Sequence, residues 1–252
     1  MYFKGAICDL YIGTEAGQKL MEDIGNAKRS IKIISPVLLP LLAKELIDLH
    51  YRDIGVQLVT MDSIEDFHGP GQKILQQFVI QDRSLDFEKE ALRSMWIKRK
   101  RLLIYLSFAM VLLLCGMAIK EGLIVVWGVL PLLLVLSLIW YYTLKIGNAK
   151  IYKYFYRSLF PSQIIAVPNS QSHSNPFLYE KMYLIDDEIV YLGALNFFDD
   201  GTKGSHGIQI RITDQNVIKE LVHEFETFFH NVDLPKMDIA QWGRKMYTES
   251  RN

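Results

Sequence analysis

This chain has few means of holding a metal or tying itself together covalently. Among its 252 residues only two are cysteines, Cys8 and Cys115. Cys115 falls within a long apolar run, so the two do not pair and no disulfide framework is expected, which suits a cytoplasmic body. No pair of His, Cys or acidic residues has metal-ligand spacing, and no cofactor is expected. Net charge is absent, with 28 basic side chains against 28 acidic ones. That balance removes any global electrostatic argument for nucleic-acid binding. The N-terminus, Met1-Tyr2-Phe3-Lys4-Gly5, lacks a basic region followed by an apolar one, so no signal peptide is expected. No internal repeat and no low-complexity tract is present.

What the chain does have is apolar length. Two runs, Leu102–Ile119 and Gly122–Leu144, are separated only by Lys120-Glu121. A helix needs about 20 residues to cross a bilayer core of about 30 Å. Both runs meet that length, and the short turn makes them an antiparallel hairpin. So long an uncharged stretch exceeds what a domain of this size could bury. Trp140, Tyr141 and Tyr142 fit an interfacial belt, while Trp127 lies too deep for one. Pro131 is tolerable within a span.

Charge flanks the hairpin unevenly. Arg93, Lys98, Arg99, Lys100 and Arg101 precede it, and Lys145, Lys150, Lys153 and Arg157 follow it, with no acidic residue inside either group. Cations at both outer ends place both flanks, and both termini, on the cytoplasmic side. The expectation is an integral protein of the inner (cytoplasmic) membrane with two spans. The same cations can also hold anionic lipid headgroups.

Removing the hairpin leaves about 200 residues, enough for one domain with its own core. The first piece, 1–62, reads as strand (Lys4–Ile12), helix (Glu15–Ala27), strand (Ser30–Ser35), helix (Leu38–Tyr51) and strand (Gly55–Thr60), a pattern of parallel pairing with helical crossovers. Residues 63–101 read as connecting helices: a turn at Asp66–Gly71, a helix at Gln72–Gln81, and one long helix from about Ser84 into the membrane. After the hairpin (102–144), residues 145–161 read as a juxtamembrane helix. The second piece, 162–234, reads as strands at Gln163–Val167, Phe177–Asp186, Ile189–Leu195 and Gly207–Ile212, then a helix, Gln215–His230, capped by Asp214. The tail, 235–252, shows little periodicity.

Within the second piece stand Tyr179-Glu180-Lys181-Met182-Tyr183-Leu184-Ile185-Asp186 and Gly193-Ala194-Leu195-Asn196. Alternate residues of a strand share a face, so Tyr179, Lys181, Tyr183 and Ile185 point one way. The spacing resembles the phospholipase D superfamily, whose motif is H-x-K-x4-D followed by G-S-x-N. Lys181, Asp186, Gly193 and Asn196 match it. The first piece is similar to the same superfamily at Ala27–Ser35, an A-K-x-S-I-x-I-x-S strand entry, and at Tyr51–Val59.

The resemblance implies an α/β fold, a mixed sheet flanked by helices and here interrupted by the two-helix transmembrane hairpin. It implies that the residue at 179 attacks phosphorus, that Lys181 and Asn196 neutralise the phosphoryl oxygens, and that Asp186 has a structural or charge-balancing role. In the family the attacking residue is a His, and here it is Tyr179. Ala194 replaces the usual Ser. At Ser205-His206-Gly207-Ile208 the family often reads N-x-E, and Gly207 stands where a Glu would orient the catalytic His. Two readings follow. In one, a degenerate member binds a phosphate-bearing ligand, nucleic acid or phospholipid, or serves as a membrane-tethered module of a larger assembly. In the other, an active phosphodiesterase uses Tyr179 or a nearby His, His173 or His206, as nucleophile. Single-motif members commonly pair across a twofold axis, which implies a homodimer.

Overall fold

In the computed structural model the described residues are 4–13, 16–62, 72–118, 125–166, 181–193 and 207–249. The chain divides into two compact units, one made of residues 1–81 and 156–248, the other of 82–155 and 249–252.

The first unit is built on a seven-stranded mixed sheet. Its strands are β1 (Cys8–Gly13), β2 (Ser30–Ser35), β3 (Gly55–Met61), β6 (Ser162–Ile165), β7 (Lys181–Ile185), β8 (Ile189–Gly193) and β9 (Gly207–Ile212), in the order β1-β9-β8-β7-β2-β3-β6. The pairs β2–β3 and β3–β6 are parallel, and β2–β7, β7–β8, β8–β9 and β1–β9 are antiparallel. Apolar residues on both faces suit β2 and β3 to the centre. Ile31 and Ile33 enter one core with Val56, Leu58, Tyr183 and Tyr191, under α1 (Ala16–Gly25), α2 (Pro40–Tyr51) and α3 (Gln72–Phe78). Val59, Met182, Leu184, Val190 and Ile212 enter another, with Val217, Ile218, Phe225 and Phe229 of α6 (Gln215–Phe229). Asp214 caps α6 by accepting from Asn216 N at 2.9 Å.

Several expectations are corrected here. β1 does not join β2 through a crossover; it pairs with β9 at the sheet edge, Leu10 opposite Ile210. Its Leu10 and Ile12 stay exposed, so it lacks the two-sided burial a central parallel strand needs. The tail is not irregular. Its start is bonded along β6, where Ala166 N donates to Pro235 O and Met237 N to Ile164 O. The helix α7 (Ile239–Met246) then closes the core with a fully buried Trp242.

The helix expected at Gln72–Gln81 stops at Phe78, and β4 (Val79–Leu85) follows. The juxtamembrane helix expected over 145–161 is replaced from Tyr152 by β5 (Tyr152–Ser158). β4 and β5 form their own two-stranded sheet. Leu159 N bonds Phe78 O at one end and Asp86 N bonds Ile151 O at the other, so the pair is antiparallel.

The second unit consists mainly of α4 (Phe87–Ala118) and α5 (Val125–Asn148). Lys145 of α5 stacks its ammonium 4.5 Å from the Trp96 ring of α4, so the start of one helix lies by the end of the other. Val129–Asn148 is long and apolar enough to cross a membrane, and it is the one such helix among the described residues. Two spans were expected. The apolar half of α4 is described only from Leu102 to Ala118 and continues a charged half on the same helix, short of about 20 apolar residues. The Lys120-Glu121 turn lies outside the described residues. Leu106, Phe108, Leu112, Leu113, Leu130, Leu133 and Leu134 are all exposed.

Candidate functional site

The register of the sheet gathers polar residues into one row. Thr60 pairs with Ser35, Lys181 with Gly193, and Gly193 with Gln209. Ser35 and Lys181 follow on from the Ile34–Met182 pair. The row therefore crosses five adjacent strands: Thr60 (β3), Ser35 (β2), Lys181 (β7), Gly193 (β8) and Gln209 (β9). By strand alternation these residues share the face of Ile33, Leu58, Tyr183 and Tyr191. All four side chains are buried: Ser35 is 2 % exposed, Thr60 0 %, Lys181 7 % and Gln209 1 %. Ser35 Oγ donates to Val37 O at 2.8 Å. Thr60 Oγ1 and Gln209 Oε1 have no hydrogen-bond partner among the described residues.

The row lies at the carboxyl ends of β2 and β3, where open α/β sheets bind ligands. The chain leaves β2 there and enters α2 five residues after Ser35. A helix N-terminus directed this way favours an anion. Burial in the row holds the Lys181 ammonium below the ordinary lysine pKa. A cation of such low exposure, beside buried polar groups, interacts more strongly with an anion brought to it than one in bulk water does.

Gly193 separates Lys181 from Gln209 in the row. A Cβ there would meet Ile208 O at 2.5 Å and Gln209 Cα at 3.1 Å, so β9 approaches as only glycine permits. Gly193→Ala is expected to lower stability by about 1–3 kcal/mol, read as a lower thermal midpoint of the full chain in detergent. An unchanged midpoint would mean the close approach is absent.

Of the four site residues expected from sequence, the two that are described lie apart. Lys181 is in the row. Asp186 ends the opposite side of β7, about 17 Å away at 3.3 Å per strand residue. There its carboxylate accepts from the amides of Lys28 (2.9 Å), Arg29 (2.7 Å) and Ser30 (3.0 Å), and its carbonyl from the Arg29 guanidinium. Burial works to raise its pKa, but the amide donors outweigh it and hold the carboxyl below the usual range. Its backbone is left-handed, with φ of 56°, as is that of Asp187. Asp186 thus ties the β7–β8 turn to the entry of β2 and does not touch the row. Tyr179 and Asn196 lie outside the described residues, as do Ala194, His173 and His206. Gly207 is in β9, opposite Gly13.

Sequence reasoning missed Ser35, Thr60 and Gln209. The sequence misdirects at Gln209: its alternation with Ile208, Ile210 and Ile212 reads as a solvent-facing polar residue, yet Gln209 is buried and Ile208 and Ile210 are exposed. It also missed a second polar cluster on this face. Asp23 of α1 accepts from the Tyr191 hydroxyl (2.5 Å) and Arg211 Nε (3.1 Å) and pairs with Lys19 (3.2 Å). Burial raises the Tyr191 phenol, and its bond to the Asp23 carboxylate adds to that. Every charge in this cluster is answered within the chain, so it locks α1 to the sheet and leaves nothing for a ligand. Among the described residues no group of three or more His, Cys, Asp or Glu could hold a metal ion.

No protein-family model matches the chain, and no curated protein matches it. Solved structures do show likenesses. The chain is similar to Nuc from Salmonella typhimurium, a phospholipase D family member, at 10% identity over 92% of this chain and 98% of that one, with a TM-score of 0.44. It is similar to NucT from Helicobacter pylori at 12% identity over 88% and 94%, with a TM-score of 0.43. It is similar to phosphatidylserine synthase from Haemophilus influenzae Rd KW20 at 11% identity over 95% of this chain and 43% of that one, with a TM-score of 0.37. At TM-scores below 0.5 these likenesses decide neither family nor activity.

Proposed function

We propose that this chain is a membrane-anchored, phospholipase D-like module that binds a phosphate-bearing ligand at the Lys181 end of β7 without a histidine nucleophile. The observation that carries this reading is the buried lysine in a polar row at the carboxyl ends of parallel strands. An ammonium held at the end of such a row can meet a phosphate oxygen in a charge-assisted hydrogen bond. Along the chain Tyr179 is two residues from Lys181, and Asn196 is three from Gly193. The sequence has a tyrosine where the resembled family has its attacking imidazole and a glycine where it has the carboxylate that orients it. The paired loss fits a site that retains anion binding and has abandoned turnover. The exposed apolar surface of α5, whose Val129–Asn148 segment is long and apolar enough to cross a membrane, supports the anchor. One copy of the motif per chain fits a homodimer that brings two Lys181 sites together.

The test uses the full chain in nanodiscs of neutral lipid, with a fluorescent single-stranded oligonucleotide and inorganic phosphate as probes. Lys181→Met should weaken probe binding roughly 10- to 100-fold, as loss of one charge-assisted contact does. It should leave the fold intact, since it removes a buried charge and keeps the stem. Wild type and Tyr179→Phe should both fail to hydrolyse the oligonucleotide or a generic phosphodiester. Equal probe binding by wild type and Lys181→Met would reject the site. A trapped phosphotyrosine in wild type, with turnover lost in Tyr179→Phe, would replace the binding module with an active phosphodiesterase.

A further inference from the structure

We infer that one end of the α4–α5 pair carries a two-sided collar that binds the headgroups of anionic phospholipids. The inference rests on the proposed membrane anchor and is independent of the Lys181 site. Its central observation is the position of Lys145. That ammonium lies 4.5 Å from the Trp96 ring of α4 and 5.4 Å from the Tyr141 ring of its own helix, and 3.3 Å from the Tyr141 hydroxyl. The Trp96–Lys145 contact fixes the register between two helices that run in opposite directions. Moving from it toward the apolar part, α4 presents Lys98, Arg99, Lys100 and Arg101 within about 8 Å at 1.5 Å per residue. Over the same rise α5 presents Tyr142, Tyr141 and Trp140. Cations on one helix and aromatics on the other therefore stand at a single level. Lys98, Arg99 and Arg101 are exposed, and Trp140 is 68% exposed and Tyr141 51%. Immediately beyond that level the exposed side chains of both helices are apolar.

Aromatic rings of this kind settle at the headgroup level of a bilayer, and lysine and arginine beside them meet the phosphates. Charge elsewhere in the sequence leaves these cations to an outside partner. Between Glu90 and Glu180 the only acidic residue is Glu121, which falls in sequence between α4 and α5, away from the Trp96–Lys145 end. The acids before the collar, Asp86, Glu88 and Glu90, fall at or just before the start of α4, where Asp86 pairs with Lys89 and Lys153, at 3.3 and 3.2 Å. That arrangement draws Lys153 away from the collar and leaves the Lys98–Arg101 run without a carboxylate partner among the described residues. A zwitterionic headgroup brings its own ammonium and offers no net charge. An anionic one, with a single exposed phosphate, complements the run.

The experiment is native mass spectrometry of the full chain in detergent, titrated with dioleoyl phosphatidylglycerol or dioleoyl phosphatidylcholine. The wild type should hold the glycerol lipid at least tenfold more tightly, with the difference shrinking as ionic strength rises. The triple variant Lys98→Gln, Arg99→Gln, Lys100→Gln should lose most of that preference. The pair Lys98→Arg, Lys100→Arg keeps the charge and should behave as wild type, which separates headgroup binding from a local packing defect. Lys219→Gln, exposed on α6, should change nothing. Equal retention of the two lipids by wild type, or a preference that survives the triple variant, overturns the collar. A carbonate wash of native membranes separates this failure from failure of the anchor. Release of the chain into the supernatant overturns both, whereas a chain that stays in the pellet without lipid preference overturns the collar alone.

Discussion

Trp242→Ala should destabilise the sheet unit by about 3–5 kcal/mol, the range for removing a buried tryptophan from a packed core. Trp242 is 0 % exposed. Its indole packs edge-on against Phe78 at 6.1 Å between ring centroids, and Phe78 packs in turn on Phe160 at 5.1 Å. Indole Nε1 also donates to Asp62 Oδ1 at 2.6 Å, at the end of β3. The alanine variant therefore leaves a cavity and removes one donor from a carboxylate that keeps, among the described residues, only its Lys245 contact at 3.7 Å. Trp242→Phe keeps most of the ring volume and loses the bond, so its cost should be about 1–2 kcal/mol. Neighbouring Gly243 explains why the indole can sit so deep. A Cβ at that position would overlap the edge of the Tyr156 ring, so the helix docks this closely only with a bare backbone there. The check is thermal unfolding of the full chain in detergent, followed by circular dichroism. An alanine variant that melts with wild type would show that α7 is not part of the core.

That helix measures how much of the fold was legible. Its pattern was present in the sequence: Ile239, Trp242 and Met246 recur at helical spacing after the capping Asp238, whose side chain accepts from Ala240 N. Eight residues give too few turns for periodicity to stand out. Tertiary burial, which the sequence does not display, supplies what local propensity lacks. β5 failed for the opposite reason. Tyr152, Tyr154 and Tyr156 alternate cleanly, and the half-buried and exposed positions follow them. The run continues directly from a strong helix, however, and Gly147-Asn148 was not read as its end, although Gly and Asn commonly terminate helices. Where a pattern was long or doubly constrained, as in β2, β3 and α6, sequence and structure agree to within two residues.

Of the candidate site, sequence spacing singled out Lys181 but not the row around it. Spacing within one strand identifies Lys181, because both ends of the motif lie on one continuous segment. The row it belongs to depends on register between β3, β2, β7, β8 and β9, which come from both sides of the apolar insertion. Ser35 and Thr60 are ordinary strand-end residues until parallel pairing sets them beside each other. Asp186 shows the converse. It shares a motif with Lys181, yet five strand residues carry it to the opposite edge of the sheet. There it is answered by amides from the entry of β2.

Asp186→Ala should accordingly cost about 3 kcal/mol and leave ligand affinity at Lys181 unchanged. Three backbone amides lose a charged acceptor, each such bond being worth about 1.5–3 kcal/mol when buried and less near water. Alanine must also adopt the left-handed backbone at φ of 56°, which costs about 1–2 kcal/mol. Asp186→Asn tolerates that conformation and isolates the charge. Its effect depends on pH, and the sign follows from linkage. The folded-state pKa of Asp186 is depressed, so its carboxylate stabilises the fold at pH values above its unfolded pKa of about 3.9. That contribution is lost as pH falls through the folded value. Asp23 behaves likewise: burial opposes its ionisation, but the bonds from Tyr191, Arg211 and Lys19 prevail and lower it. Wild type should therefore lose stability as pH falls through about 4 toward the lower folded value, and Asp186→Asn should start less stable and lose less over that range. The two melting curves should converge at the acid end. Parallel curves, with a constant offset at every pH, would mean that the β7–β8 turn is held to β2 by something other than this carboxylate.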